Sequence, residues 1–137
     1  KLESLFSLSR VIEQVFFIGN ERSYIAALIV PNYQHFIGFF EQENIPYDKD
    51  CVKFSEIGGL NICTEVGEDF VDHPGLKEVI AHEVALVNRR LEDFERVRKF
   101  TILPRRFTEE NGLLTPTQKF RKAEILQEYA GVIEAMY

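Results

Sequence analysis

The stretch Asn111 to Leu126, NGLLTPTQKFRKAEIL, holds the residues whose types and spacing could do chemistry. Lys119 follows the loop Thr115, Pro116 and Thr117. Proline fixes its own φ and biases the residue before it toward an extended conformation, so this loop is stiff at its entry. A lysine carried on such a loop gives up little freedom when it engages a ligand. Its compact ammonium, with three donors, suits a phosphate or carboxylate oxygen. Two readings of Lys119 stand on these features: a solvated cation ahead of a helix, or a charge delivered to an anion that the rest of this chain does not bind.

The other chemistry-bearing residues form no such arrangement. His82-Glu83 has no second histidine at i+4 and so makes no HExxH metal site. His35 and His73 have no convergent carboxylates or thiols nearby in sequence and read as structural residues. The glycines of GLNICTEVGEDF lack a following Lys-Ser/Thr or a GxGxxG frame, which leaves no phosphate cradle. Ser4, Ser7, Ser9, Ser23 and Ser55 occur outside any nucleophile-elbow context. Cys51 and Cys63 lack the CxxC spacing of a zinc ligand pair and read as reduced structural thiols of a reducing, cytoplasmic environment. No metal site is expected.

The whole chain sets the frame for these residues. Its 137 residues are enough for one domain with one core. Hydrophobic residues make up 45% and charged residues 28%, an ordinary globular balance. Twelve Phe and no Trp point to a core built on phenylalanine rings. A formal charge of −6 argues against a nucleic-acid partner, which calls for a basic surface. Basic residues concentrate only late in the chain, at Arg96, Arg98, Lys99, Arg105, Arg106, Lys119, Arg121 and Lys122. No apolar run approaches the roughly 18 residues of a membrane span. The chain starts at Lys1 and runs straight into an apolar pattern, as a piece cut from something longer would.

The elements that must position the loop follow from periodicity. Leu2, Leu5, Phe6 and Leu8 suggest the tail of a helix. VIEQVFFIG (Val11 to Gly19) and YIAALIVP (Tyr24 to Pro31), joined by NERS, predict an antiparallel hairpin whose second strand is buried on both faces. Asn32 is placed to cap a helix carrying Phe36, Phe39 and Phe40. Residues 47–72 show poor periodicity and read as a variable connection with a short helix around Cys51 to Ile57. Pro74 opens a long helix with Leu76, Val79, Ile80, Val84, Val87 and Leu91 at helical spacing. VRKFTILP (Val97 to Pro104) is a third strand, RRFTEENG a turn, and Gln118 to Ala135 a last helix. The expected fold is α+β: a small, three-stranded, mainly antiparallel sheet flanked by helices.

The segments VIEQVFFIGNERSYIAALIVPN and HEVALVNRRLEDFERVRKFTILPRRFTEENGLLTPTQKFRKAEILQEY resemble the C-terminal domain of AMP-forming acyl-CoA synthetases, nearest the long-chain fatty acid branch. The resemblance rests on an IEQ strand leading to IG, an ALIVP strand, a helix running into L-x-x-[FY]-E, an F-x-[IL]-L-P strand and F-T-x-E-N-G-x-L-T-P-T-x-K. It covers residues 11–32 and 82–137 and leaves residues 49–72 unassigned. Gln118 departs from the glycine common at this place in the wider superfamily.

The resemblance implies a single lid domain, residues 1–137, of a larger two-domain ligase, starting after the hinge and its following hairpin. It implies that the missing N-terminal adenylation domain binds ATP and the fatty acid. The lid would close on that partner in two orientations, the first for acyl-adenylate formation and the second for thioester formation with coenzyme A. It implies that Lys119 is catalytic and that Thr115, Pro116 and Thr117 present it. ATP, Mg²⁺ and coenzyme A would serve the full enzyme, with none bound by the fragment, which would be inactive alone. The full enzyme would be cytoplasmic, with peripheral membrane association and acyl chain length left open. Two rivals remain: the lid of another acid–CoA ligase, whose lysine usually follows P-K-T-x-x-G, and a small α+β protein-interaction module.

Overall fold

The computed structural model describes residues 2–137. Strand β1 (Ile12–Ile18) and strand β2 (Ile25–Pro31) form the expected antiparallel hairpin. Ala26 to Val30 are fully buried, because β2 is the central strand of its three-stranded sheet and is covered on both faces. Pro31 ends the strand, where its missing N–H costs no ladder bond. The edge strand β5 (Val97–Ile102) pairs with β2 in parallel, so this sheet holds one antiparallel and one parallel pairing. Such a pairing needs a long crossover, which here runs through every element between residues 33 and 95.

Helix α1 (Leu2–Phe6) precedes β1 and buries Phe6 against Phe17. Helix α2 (Tyr33–Gln42) starts as the sequence predicts: the Asn32 side-chain oxygen accepts from the His35 N–H at 3.3 Å. It buries Tyr33, Phe36 and Phe40, and Asn44, in the left-handed region, follows its end. The short helix α3 (Glu68–Val71) adds Phe70 to that aromatic core, 4.6 Å from the Phe40 ring centroid. Helix α4 (Pro74–Asn88) has Pro74 in its first turn and His73 Nδ1 accepting from the Gly75 N–H. Its stripe Leu76, Ile80, Val84 and Val87 is buried, while Leu91 packs into the core from beyond the helix end.

Two expectations are corrected. The helix around Cys51 to Ile57 is instead a single 3₁₀ turn, Lys49–Cys51, followed by a hairpin of β3 (Lys53–Ile57) and β4 (Leu60–Glu65). Counting this second sheet, two of the three pairings among the described residues are antiparallel. Gly58 and Gly59 form its two-residue turn with φ of +59° and +79°. Positive φ at both central residues is the primed turn that matches strand twist. Gly59→Ala is expected to destabilise the hairpin by about 1 kcal/mol, because alanine pays the left-handed penalty that glycine avoids. Faster hydrogen exchange at the β3 and β4 amides, with the β1–β2 amides unchanged, is the readout.

The last helix is the second correction. It does not run unbroken from Gln118 to Ala135 but is split into α5 (Lys122–Glu128) and α6 (Ala130–Ala135), broken at Tyr129. Phe120 is not helical; it bridges to Leu114 across a turn. Local hydrogen bonding decides this, because the backbone of residues 113–121 is committed to that turn.

Candidate functional site

The loop bearing Lys119 is a small hairpin. The Thr115 N–H donates to the Lys119 carbonyl at 2.8 Å and the Gln118 N–H to the Thr115 carbonyl at 2.9 Å. The Arg121 N–H donates to the Leu113 carbonyl at 2.9 Å, one step further down. Pro116 sits second in the turn, where its fixed φ is suited. The Thr115 hydroxyl accepts from the Lys119 N–H at 3.1 Å and lies 3.1 Å from the Thr117 hydroxyl. Each expected loop residue thus has a place: Thr115 and Pro116 shape the turn, Thr117 braces Thr115, and Lys119 closes it.

Gln118 has φ of +66°, the left-handed conformation that glycine takes without penalty. Its departure from glycine therefore falls where the backbone favours glycine. Gln118→Gly is expected to stabilise the fold by about 0.5–1 kcal/mol, the left-handed penalty less the greater entropy of an unfolded glycine. A rise in the thermal midpoint tests it; a fall would show that the glutamine side chain contributes more than its backbone costs.

Below the turn lies an aromatic support. Phe107 is fully buried, and its ring meets Phe120 at 5.5 Å and 76°, Phe16 at 6.5 Å and Tyr129 at 6.1 Å. Phe16 and Phe120 also meet edge to face at 5.5 Å. The residue after Lys119 is therefore pinned by rings from β1 and from the 105–112 segment, and Tyr129, at the break between α5 and α6, backs the second of these. Burial pushes the Tyr129 hydroxyl up from its ordinary value, against a lowering by Arg105.

Asn111 organises the segment leading in. Its side-chain oxygen accepts from the Thr108 and Leu113 N–H groups, its amide donates to the Arg106 carbonyl, and its own N–H donates to the Thr108 hydroxyl. Gly112, at φ +79°, completes the turn. The NG dipeptide announces this turn in the sequence, but the sequence reading singled out neither Asn111 nor Phe107. Their signal is a polar residue and a phenylalanine inside an otherwise charged turn, RRFTEENG.

Lys119 itself is exposed, and among the described residues no carboxylate forms an ion pair with it. Two arginines of the same basic cluster are engaged: Arg121 with Glu124 at 3.0 Å, and Arg106 with Glu13 at 2.9 Å. Beside the loop, an open cleft of about 410 Å³ is lined by Ser55 to Gly58 of the β3–β4 hairpin, by Thr108 to Glu110 and by Gln118. The sequence left this hairpin unassigned, yet it stands at the same end of the molecule as Lys119. Among the described residues, no three His, Cys, Asp or Glu side chains converge as a metal site requires, and no helix is long and apolar enough to cross a membrane.

The fold is one found within adenylate-forming enzymes. All of the chain aligns with 17% of the adenylation domain of a carboxylate reductase from Mycobacterium chelonae, at a TM-score of 0.68 and 24% identity. It aligns over 98% of its length with 15% of the adenylation–carrier didomain of carboxylic acid reductase from Segniliparus rugosus, solved in complex with AMP, at a TM-score of 0.64 and 22% identity. No protein-family model matches the chain. By sequence it is 31% identical over 136 residues to the long-chain-fatty-acid–CoA ligase FadD15 of Mycobacterium tuberculosis, covering 99% of this chain and 20% of that protein. It is 28% identical over 140 residues to long-chain-fatty-acid–CoA ligase 5 of the mouse, covering 100% of this chain and 18% of that one. Over its whole length the chain is thus similar to a C-terminal part of long-chain fatty acid–CoA ligases, and it spans about a fifth of their length.

Proposed function

We propose that the chain is the C-terminal lid of an AMP-forming long-chain fatty acid–CoA ligase, and that Lys119 is the cation it delivers to the adenylation centre of an N-terminal domain. The observation that carries this reading is an unpaired ammonium on a proline-stiffened turn, backed by buried rings, in a chain related to such ligases. In the first half-reaction a fatty acid carboxylate oxygen attacks the α-phosphorus of ATP. The new P–O bond forms as the bond to pyrophosphate breaks. Negative charge gathers on the phosphoryl oxygens and drains from the carboxylate. A positioned ammonium lowers that barrier because it needs little rearrangement at the moment of reaction.

In the second half-reaction the thiol sulfur of coenzyme A attacks the acyl carbonyl carbon. The thiol gives up its proton, AMP departs with its electron pair, and acyl-CoA remains. Lys119 has no part in this step. Mg²⁺ neutralises phosphate charge in such chemistry. Of this chain's residues, Lys119 is the one we assign to the reacting centre. We take the enzyme to act in the cytoplasm, consistent with two unbridged cysteines.

The test is product formation by the full-length protein given ATP, Mg²⁺, coenzyme A and acids of graded length. Acyl-CoA and AMP should appear in equal amounts and chiefly with long-chain acids. Turnover confined to short or aryl acids would assign the lid to another acid–CoA ligase. No AMP with any acid would overturn the reading.

A further inference from the structure

Gln14 lies on β1, on the same face as Phe16, and is only part-exposed among apolar neighbours. A strand reading IEQVFFI has no packing reason for an amide there. In the structure its two ends are both used. The Gln14 Nε2 donates to the Phe107 carbonyl at 3.0 Å, and the Phe107 N–H donates to the Gln14 Oε1 at 2.9 Å. A side-chain amide thus stands in for a strand neighbour and holds a segment 93 residues away. A bulge in β1 between Ile12 and Gln14 locally breaks the regular ladder there. The adjacent pair, Glu13 with Arg106 at 2.9 Å, ties down the preceding residue of the same segment.

What Gln14 holds is the root of the Lys119 turn. Phe107 is fully buried, its ring packs on Phe120, and Phe120 follows Lys119 and bridges to Leu114. The path from Gln14 to Lys119 is one residue of backbone, one ring contact and one peptide bond. We propose that Gln14 is a positioning residue for Lys119: its paired amide hydrogen bonds set the depth of Phe107, and thereby where the turn presents the ammonium. This rests on the reading of Lys119 as the adenylation cation. Gln14 touches no reacting atom. Its effect on the reaction is geometric, and small misplacement of a charged group is costly in rate.

The experiment uses the full-length ligase bearing this chain and follows each half-reaction separately. Gln14→Leu keeps the bulk and removes both hydrogen bonds. It is expected to slow acyl-adenylate formation about tenfold or more, with the KM for ATP changed less than about twofold. Thioester formation from supplied acyl-adenylate should also change less than about twofold, which shows that the domain is folded. Gln14→Glu keeps an acceptor for the Phe107 N–H but loses the donor, and should fall between; it carries the same comparison where Gln14→Leu does not fold. In a Lys119→Ala background, Gln14→Leu should cause no further loss. An undiminished further loss there, an equal loss in both half-reactions, or no loss at all would overturn the proposal. If Lys119→Ala alone leaves adenylation intact, the assignment of Lys119 fails first and takes the role of Gln14 with it.

Discussion

If Lys119 has the proposed role, Lys119→Ala in the full-length protein bearing this chain will lower acyl-adenylate formation by on the order of 10²-fold or more, the typical loss for a preorganised charge-stabilising donor. Thioester formation from supplied acyl-adenylate will remain near wild type. Acyl-CoA synthesis measured from free acid and from acyl-adenylate separates the two. On the proposed role, the asymmetry follows from where charge moves: adenylation would concentrate it on phosphoryl oxygens beside the lysine, whereas thioester formation would release AMP from a carbonyl. The structure adds that the loss is one of charge alone. Lys119 is exposed, its backbone closes the turn through N–H and C=O, and both groups survive in alanine. The variant should therefore melt at the wild-type temperature. Equal losses in both half-reactions would mean that Lys119 holds the domain in place rather than acting on the phosphate.

The second large effect is on stability. Phe107→Ala removes a fully buried ring that meets Phe16, Phe120 and Tyr129. Deleting a buried phenylalanine costs about 3–5 kcal/mol, part lost transfer energy and part cavity. Against a typical domain stability of about 5–15 kcal/mol, that is a large share. The thermal midpoint should fall by on the order of 10 °C. Phe107→Leu refills much of the volume and should cost less than half as much. The backbone groups of Phe107 that pair with Gln14 persist in both variants, so the loss reports packing. If Phe107→Ala melts within about 2 °C of wild type, the aromatic support is not what holds the turn.

Much of this architecture was legible in the sequence because local signals and burial agreed. Asn32 before a Phe-rich helix, Pro74 at the head of α4 and the apolar run of β2 each joined a backbone preference to a burial pattern. The parallel pairing of β5 was not legible, since a strand's composition does not say which way its neighbour runs. The β3–β4 hairpin was not legible because only Cys63 of its strand residues is buried, too little to impose alternation; the paired glycines were the signal. The last helix starts later than the sequence suggests because Phe120, apolar and at the head of the expected helix, is not part of it. Phe120 packs half-buried against Phe16 of β1 from a turn instead, which periodicity cannot distinguish.

The site divides in the same way. Lys119 and its stiff entry could be read from Thr115, Pro116 and Thr117, because proline acts locally. The support could not. Gln14 and Phe107 lie 93 residues apart, and only the fold brings them together.

The most direct test of the central claim is ATP–pyrophosphate exchange driven by a long-chain fatty acid, with wild type and Lys119→Ala compared in the full-length protein. Exchange reports adenylation alone, with coenzyme A left out. The account predicts exchange that depends on the acid in the wild type and falls on the order of 10²-fold or more in the variant. Undiminished exchange in Lys119→Ala would contradict it.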